Sequence, residues 1–154
     1  MRLRRIIIVL LIFFSVNVMI INTYAGNAKA ELTLSCDQQQ VSQGRTVELI
    51  VKCENKDGGI AGISIEELIC YGADLDLYSI EIINAHSGWQ IFGNKIPFMI
   101  VDDSGKNPLI NGEDLQFKMV FYVNKVFDSM VEVCLEGSLT DANLEDVTFK
   151  SNKY

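Results

Sequence analysis

The stretch "DLQFKMVFYV", Asp114 to Val123, decides the fold. Leu115, Phe117, Met119, Phe121 and Val123 take every second position. Successive side chains of a strand point to opposite faces, so these five share one face and predict a strand packed on a core. The other face carries Gln116 and Lys118, but also Val120 and Tyr122, which are apolar or aromatic where water is expected.

Moving toward the N-terminus, the same alternation returns. "TVELIVKCE" puts Val47, Leu49, Val51 and Cys53 on one side and Glu48, Lys52 and Glu54 on the other, with Ile50 the exception. "ELTLSC" aligns Leu32, Leu34 and Cys36. "NKDGGIAG", with Gly58, Gly59 and Gly62, is a loop signal. "ISIEELICY" follows as a strand whose alternation slips by one at Glu66-Glu67, as a β-bulge would cause. "GADLDLYSIEIIN" reads as a turn and a strand, "AHSGWQIFGNK" as a loop with a short strand, and "IPFMIV" as a compact strand. After Val123, "SMVEVCLEGSL" and "DVTFK" complete about nine strands with turns at regular intervals. Helical periodicity is absent beyond residue 30, so the pattern predicts an all-β, antiparallel β-sandwich.

The first thirty residues differ. Arg2, Arg4 and Arg5 precede an apolar run from Ile6 to Ile21, and Ala28-Lys29-Ala30 makes a small-x-small site. This is the pattern of a signal peptide over 1–30, cleaved after Ala30, with a cut after Ala25 as the second choice. The run is shorter than the ~20 residues that span a bilayer comfortably, so a membrane role is confined to an uncleaved leader. The remaining domain, 31–154, holds nine basic residues against twenty acidic ones, a net charge of −11. That balance excludes nucleic acid as a partner and suits a secreted domain. Cys36, Cys53, Cys70 and Cys134 are compatible with disulfides, in three possible pairings, or with buried free thiols. No CxxC spacing supports a metal or redox site.

"VDDSGKNPLINGEDLQF", Val101 to Phe117, has the acids and glycines of a calcium loop. An EF-hand needs oxygen ligands at positions 1, 3 and 5 and a glycine at 6. With Gly112 at position 6, position 3 is Leu109; with Gly105 there, position 1 is Ile100. Neither register works. "DANLED", Asp141 to Asp146, starts with better spacing but has Asp146 at the glycine position, and reads as a solvated turn. No metal and no cofactor is expected. His86 beside Ser87 is the single histidine, and no GxSxG turn presents a nucleophile, so the domain reads as a non-enzyme. Trp89 is either a loop anchor on the core or an exposed platform for a sugar ring.

In "PFMIV", Phe98 and Ile100 point one way while Pro97, Met99 and Val101 point the other, and both faces are apolar. An antiparallel sandwich normally turns one face of each strand to water. An apolar outer face marks a protein partner, or is covered by another strand or loop.

The order of four segments resembles the cohesin domain, the module by which cellulosome scaffolds hold dockerin-bearing enzymes. They are "VSQGRTVELIVKCEN", "GGIAGISIEELICYGADLDLYSIEI", "PFMIVDDSGKNPLINGEDLQFKMVFYV" and "LEGSLTDANLEDVTF", together reaching from about Leu32 to Phe149. The resemblance implies a nine-stranded jelly-roll sandwich without catalytic activity that binds a dockerin-like module through one sheet face. Carried across, the partner-binding positions are Ser64, Pro97, Met99, Val101, Asp102 and Ser104. Where type I cohesins often place Asn and Asp, this chain has Gly62 and Ser64. The expectation is a secreted protein-binding module, possible in polysaccharide degradation; the alternatives are a carbohydrate-binding module using Trp89 and a structural protein of the cell envelope.

Overall fold

The computed structural model describes residues 12–13, 19–25, 28–36, 38, 40–143 and 146–150, with side chains described for 29–36, 38 and 40–143. The described backbone forms β1 (Ile12–Phe13), β2 (Met19–Ala25), β3 (Ala28–Cys36), β4 (Gln40–Val41), β5 (Thr46–Asp57) and β6 (Ile60–Tyr71). Then come β7 (Ala73–Asn84), β8 (Trp89–Phe92), β9 (Phe98–Asp102), β10 (Asp114–Val126), β11 (Glu132–Asp141) and β12 (Asp146–Lys150). Two five-stranded antiparallel sheets face each other. Sheet I runs β2-β3-β5-β10-β7, and sheet II runs β12-β11-β6-β9-β8. The nine strands expected from alternation are β3 and β5 to β12. The three extra ones are the two-residue pair β1 and β4, and β2.

Most of the reading of 1–30 as a leader lies outside the described residues. Of the described part, β2 pairs with β3 from Met19 opposite Leu34 to Ala25 opposite Ala28. The expected cut after Ala30 falls inside β3 and leaves Glu31–Cys36 as strand.

Connections mostly cross between sheets: β5 to β6, β6 to β7, β7 to β8, β9 to β10 and β10 to β11 each change layer. The two inner faces therefore meet as interleaved alternating rows. Leu115, Phe117, Met119, Phe121 and Val123 of β10 are all buried, beside Val47, Leu49, Val51 and Cys53 of β5. Sheet II contributes Ile63, Ile65, Phe98, Ile100, Val133, Leu135 and Leu139. Phe98 and Phe117 meet edge to face across the layers, with ring centroids 5.9 Å apart and planes at 87°. Burying each such side chain stabilises the fold by roughly 1.5–3 kcal/mol before entropy is counted.

The bulge expected in β6 is present. Glu67 lies opposite Glu136 and Ile65 opposite Gly137, which leaves Glu66 as the extra residue. None of the four cysteines forms a disulfide. Cys36, Cys53 and Cys134 are buried, and burial pushes the Cys53 thiol up to about 12.

Val120, Tyr122 and Ile50 lie on the outer face of sheet I, not beside Met99 and Val101. Lys118 crosses that face, with Nζ 3.6 Å from Glu48 and 3.4 Å from Glu81. Its alkyl stem is only partly exposed and covers some of the apolar surface around it.

Candidate binding face

Sheet II presents its outer face between β8 and β11. The register fixes what lies beside what. Phe92 is opposite Met99, Met99 opposite Ser64, and Ser64 opposite Ser138. One level along, Gln90 is opposite Val101, Val101 opposite Gly62, and Gly62 opposite Thr140. The face is thus apolar at Phe92, Met99 and Val101, with Gln90 beside them, and hydroxyl-bearing over β6 and β11. Phe92 is 42% exposed and Met99 48% exposed, while Val101 is half-buried. Directly opposed residues on neighbouring strands have Cβ atoms ~4.5–5.5 Å apart, so these apolar groups form a continuous patch.

Gly62 keeps this face flat. A Cβ at that position would lie 2.8 Å from Cγ1 of Val101, closer than real contacts allow. The absence of a side chain there lets Val101 lie down over β6. Pro97 is exposed at the entry to β9 and continues the outward row of Met99 and Val101.

Asp102 and Ser104 build the turn that ends β9. Asp102 faces inward at the end of β9 and is 7% exposed. Its Oδ1 accepts from the Ser104 backbone N–H at 3.1 Å and from the Ser104 hydroxyl at 2.6 Å, and its Oδ2 accepts from the Asn107 N–H. Burial works against ionisation, but the hydrogen bonds from Ser104, Asn107 and Lys106 outweigh it and lower the carboxyl below the usual range. Ser104 Oγ also accepts from the Lys106 N–H at 3.1 Å. Both side chains hold the "DDSGKN" turn and so aim the end of β9.

Trp89 closes the same lock from the other side. It is 7% exposed, and its indole N–H donates to the Asn107 carbonyl at 3.0 Å. Asp103 N–H donates to the Gly88 carbonyl at 3.1 Å. The sugar-platform reading of Trp89 is therefore corrected: stacking needs an open ring face, and this ring is packed in the core. It is the loop anchor.

Sequence reasoning missed Gln90 and Phe92. Placing Trp89 inward would have found them, because alternation then turns Gln90 and Phe92 outward. It also missed Ser138 and Thr140, which reach the face only through the pairing of β11 with β6.

His86 and the acids of the long loop show no reactive constellation among the described residues. His86 Nε2 lies 2.9 Å from Glu113 Oε2 on the surface. Among the described residues no group of three potential ligands could hold a metal ion. Asp141 caps its own turn, accepting from the Asn143 N–H at 2.8 Å.

No protein-family model matches the chain, and no curated protein matches it. Solved structures do. One is a type I cohesin–dockerin complex from Clostridium thermocellum, at 19% identity over 68% of this chain and 78% of that one, with a TM-score of 0.46. Another is a non-cellulosomal cohesin from the hyperthermophilic archaeon Archaeoglobus fulgidus, at 21% identity over 70% of this chain and 81% of that one, with a TM-score of 0.42. Both are cohesins, the family that the sequence resembles.

Proposed function

We propose that this protein is a non-catalytic, cohesin-like binding module that captures a protein partner on the outer face of sheet II. The observation that carries this reading is the row Phe92, Met99 and Val101, apolar and turned to solvent on hydrogen-bonded neighbouring strands. Flanking hydroxyls at Ser64, Ser138 and Thr140 supply polar groups beside the patch, as protein interfaces commonly have. A dockerin-like module is the first candidate partner, as the sequence resemblance implies. Secretion through the leader, and a place in polysaccharide degradation, is the setting that goes with it.

The test is capture of a panel of labelled dockerin modules by the wild-type domain, Met99→Asp and Phe92→Asp. A central apolar anchor typically contributes ~2 kcal/mol or more, which is roughly thirtyfold in affinity. Both variants should lose at least that much while keeping the wild-type melting temperature. Undiminished capture by the variants, or a panel that does not bind at all, would overturn the proposal.

A further inference from the structure

β6 is paired unevenly. On one side β11 follows it to Tyr71, opposite Glu132. On the other, β9 pairs with it only from Gly62 to Ile65. From Glu67 to Cys70, among the described residues, no backbone hydrogen bond is formed on that second edge. A cleft of about 770 Å³ opens beside it, between this half of β6 and the β7 segment Leu75–Leu77 of sheet I. Leu68, Leu75, Leu77 and Ile96 line the cleft and are only half-buried, and Phe121 of the core forms part of its wall.

We infer that this cleft is a strand-addition site for an extended, basic peptide segment of a partner protein, which pairs with the free edge of β6 at Glu67–Cys70. Three observations converge on that occupant. An unpaired strand edge is a template for main-chain hydrogen bonding, and the pairing of β6 with β11 is regular beyond the bulge at Glu66, so its backbone groups keep the ordinary antiparallel spacing. The other strand on the cleft, β7, has three irregularities in its register with β10 and is a poorer template. The half-buried leucines and Ile96 would receive every second side chain of the incoming strand.

Charge selects the partner. Glu66, Glu67 and Asp76 line the cleft against one base, Lys95. A second copy of this chain, pairing edge to edge, would bring its own Glu66 and Glu67 against these two. A strand with lysine or arginine at the outward positions and valine or leucine between them satisfies both the acids and the apolar wall. This site is separate from the Phe92–Met99–Val101 face and does not depend on it.

The probe is an alternating lysine–valine hexapeptide, with a glutamate–valine counterpart and a version N-methylated on alternate backbone nitrogens. Binding is followed by fluorescence anisotropy and by amide hydrogen exchange of the full chain. The lysine peptide should bind and slow exchange within Glu67–Cys70, and should weaken as salt is raised. N-methylation should weaken binding by about tenfold or more, because the strand pairing is lost. Glu66→Lys/Glu67→Lys, two exposed changes, should reverse the preference toward the glutamate peptide. Met99→Asp should leave all of this unchanged, which separates the cleft from the dockerin-like reading. Absence of binding, equal binding of the N-methylated or acidic peptide, protection confined to β7, or self-association through this edge would each overturn the proposal.

Discussion

Asn55 is the most consequential side chain that carries no functional role. It sits near the end of β5 with 0% exposure, the one buried amide among the three buried polar residues of the described part. Its Nδ2 donates to the Gly58 carbonyl at 3.0 Å and to the Leu109 carbonyl at 2.8 Å, while its Oδ1 accepts from the Asp57 N–H at 3.2 Å. Its backbone accepts from the Gly112 N–H and donates to the Glu113 carbonyl. One residue thus joins the glycine turn after β5 to the long connection between β9 and β10. Leu109, fully buried, is fastened to Ile60 by a pair of backbone bonds at 2.8 and 3.0 Å.

Asn55→Ala removes both donors and the acceptor. The Leu109 carbonyl stays buried without its side-chain partner, at about 1–3 kcal/mol. The Gly58 carbonyl and Asp57 N–H lie nearer water and lose the ordinary ~0.5–1.5 kcal/mol each. A total of roughly 2–6 kcal/mol follows, a large part of the ~5–15 kcal/mol stability of a typical domain. Urea unfolding should show a lower midpoint with an unchanged slope, and hydrogen exchange should accelerate at Leu109 and Gly112 before it does in β10. Asn55→Asp should be worse, since it replaces the double donor by a buried carboxylate. A loss below about 0.5 kcal/mol for Asn55→Ala would refute this reasoning, because that is the scale of an ordinary surface change.

Four further outcomes are expected. Gly62→Ala should leave stability within about 1 kcal/mol, because the strand gains propensity while Val101 must rotate, yet it should weaken partner capture by roughening the face; equal capture would show that flatness does not matter. Gly72→Ala should fail to fold or lose stability severely, since φ is +84° and the new Cβ would lie 2.1 Å from the Met130 carbonyl oxygen, as soluble expression and circular dichroism would show. Asp102 has a lowered carboxyl pKa in the fold, so its contribution is present above the ordinary carboxylate range, ~3.9, and is lost as pH falls through the lowered value; Asp102→Asn should lower stability at pH 7 and flatten the acid limb of the stability–pH curve. Cys53, pushed up to about 12 by burial, should resist thiol reagents at pH 8 until the protein unfolds, while half-buried Cys70 reacts earlier, as mass spectrometry of quenched samples would show.

The sandwich was legible wherever one face of a strand meets the core. β5 and β10 carry an apolar residue at every second position, and every inward residue read from them is buried. The bulge at Glu66 was legible too, because a one-residue slip moves the apolar set to the other face. What alternation cannot give is the neighbour. Ile50, Val120 and Tyr122 look like Met99 and Val101 in a list of outward apolar residues, yet they lie on the opposite sheet. Ser138 and Thr140 join the candidate face only because β11 pairs with β6, a contact some seventy residues apart in sequence. For a related reason, only the three-dimensional path shows the Asp102 carboxylate accepting from Ser104 and Asn107.

In the proposed binding, the acidic loop after β9 acts by indirect means. The Asp102 carboxylate holds backbone N–H groups of the turn, and Trp89 is packed into the core. Their effect is to fix where β9 stops and which way Val101 points. A face made of three apolar side chains on two short strands has little room for error. β8 has four residues and β9 five, at or just below the commonest strand length. The Asp102–Asn107–Trp89 lock adds hydrogen bonds from outside the sheet. Changes in that lock should accordingly reduce affinity through a disordered β9 edge, whereas changes at Phe92 or Met99 should reduce it with the sheet intact. Hydrogen exchange at Ile100 and Val101 separates the two: it should quicken in Asp102→Ala and stay slow in Met99→Asp.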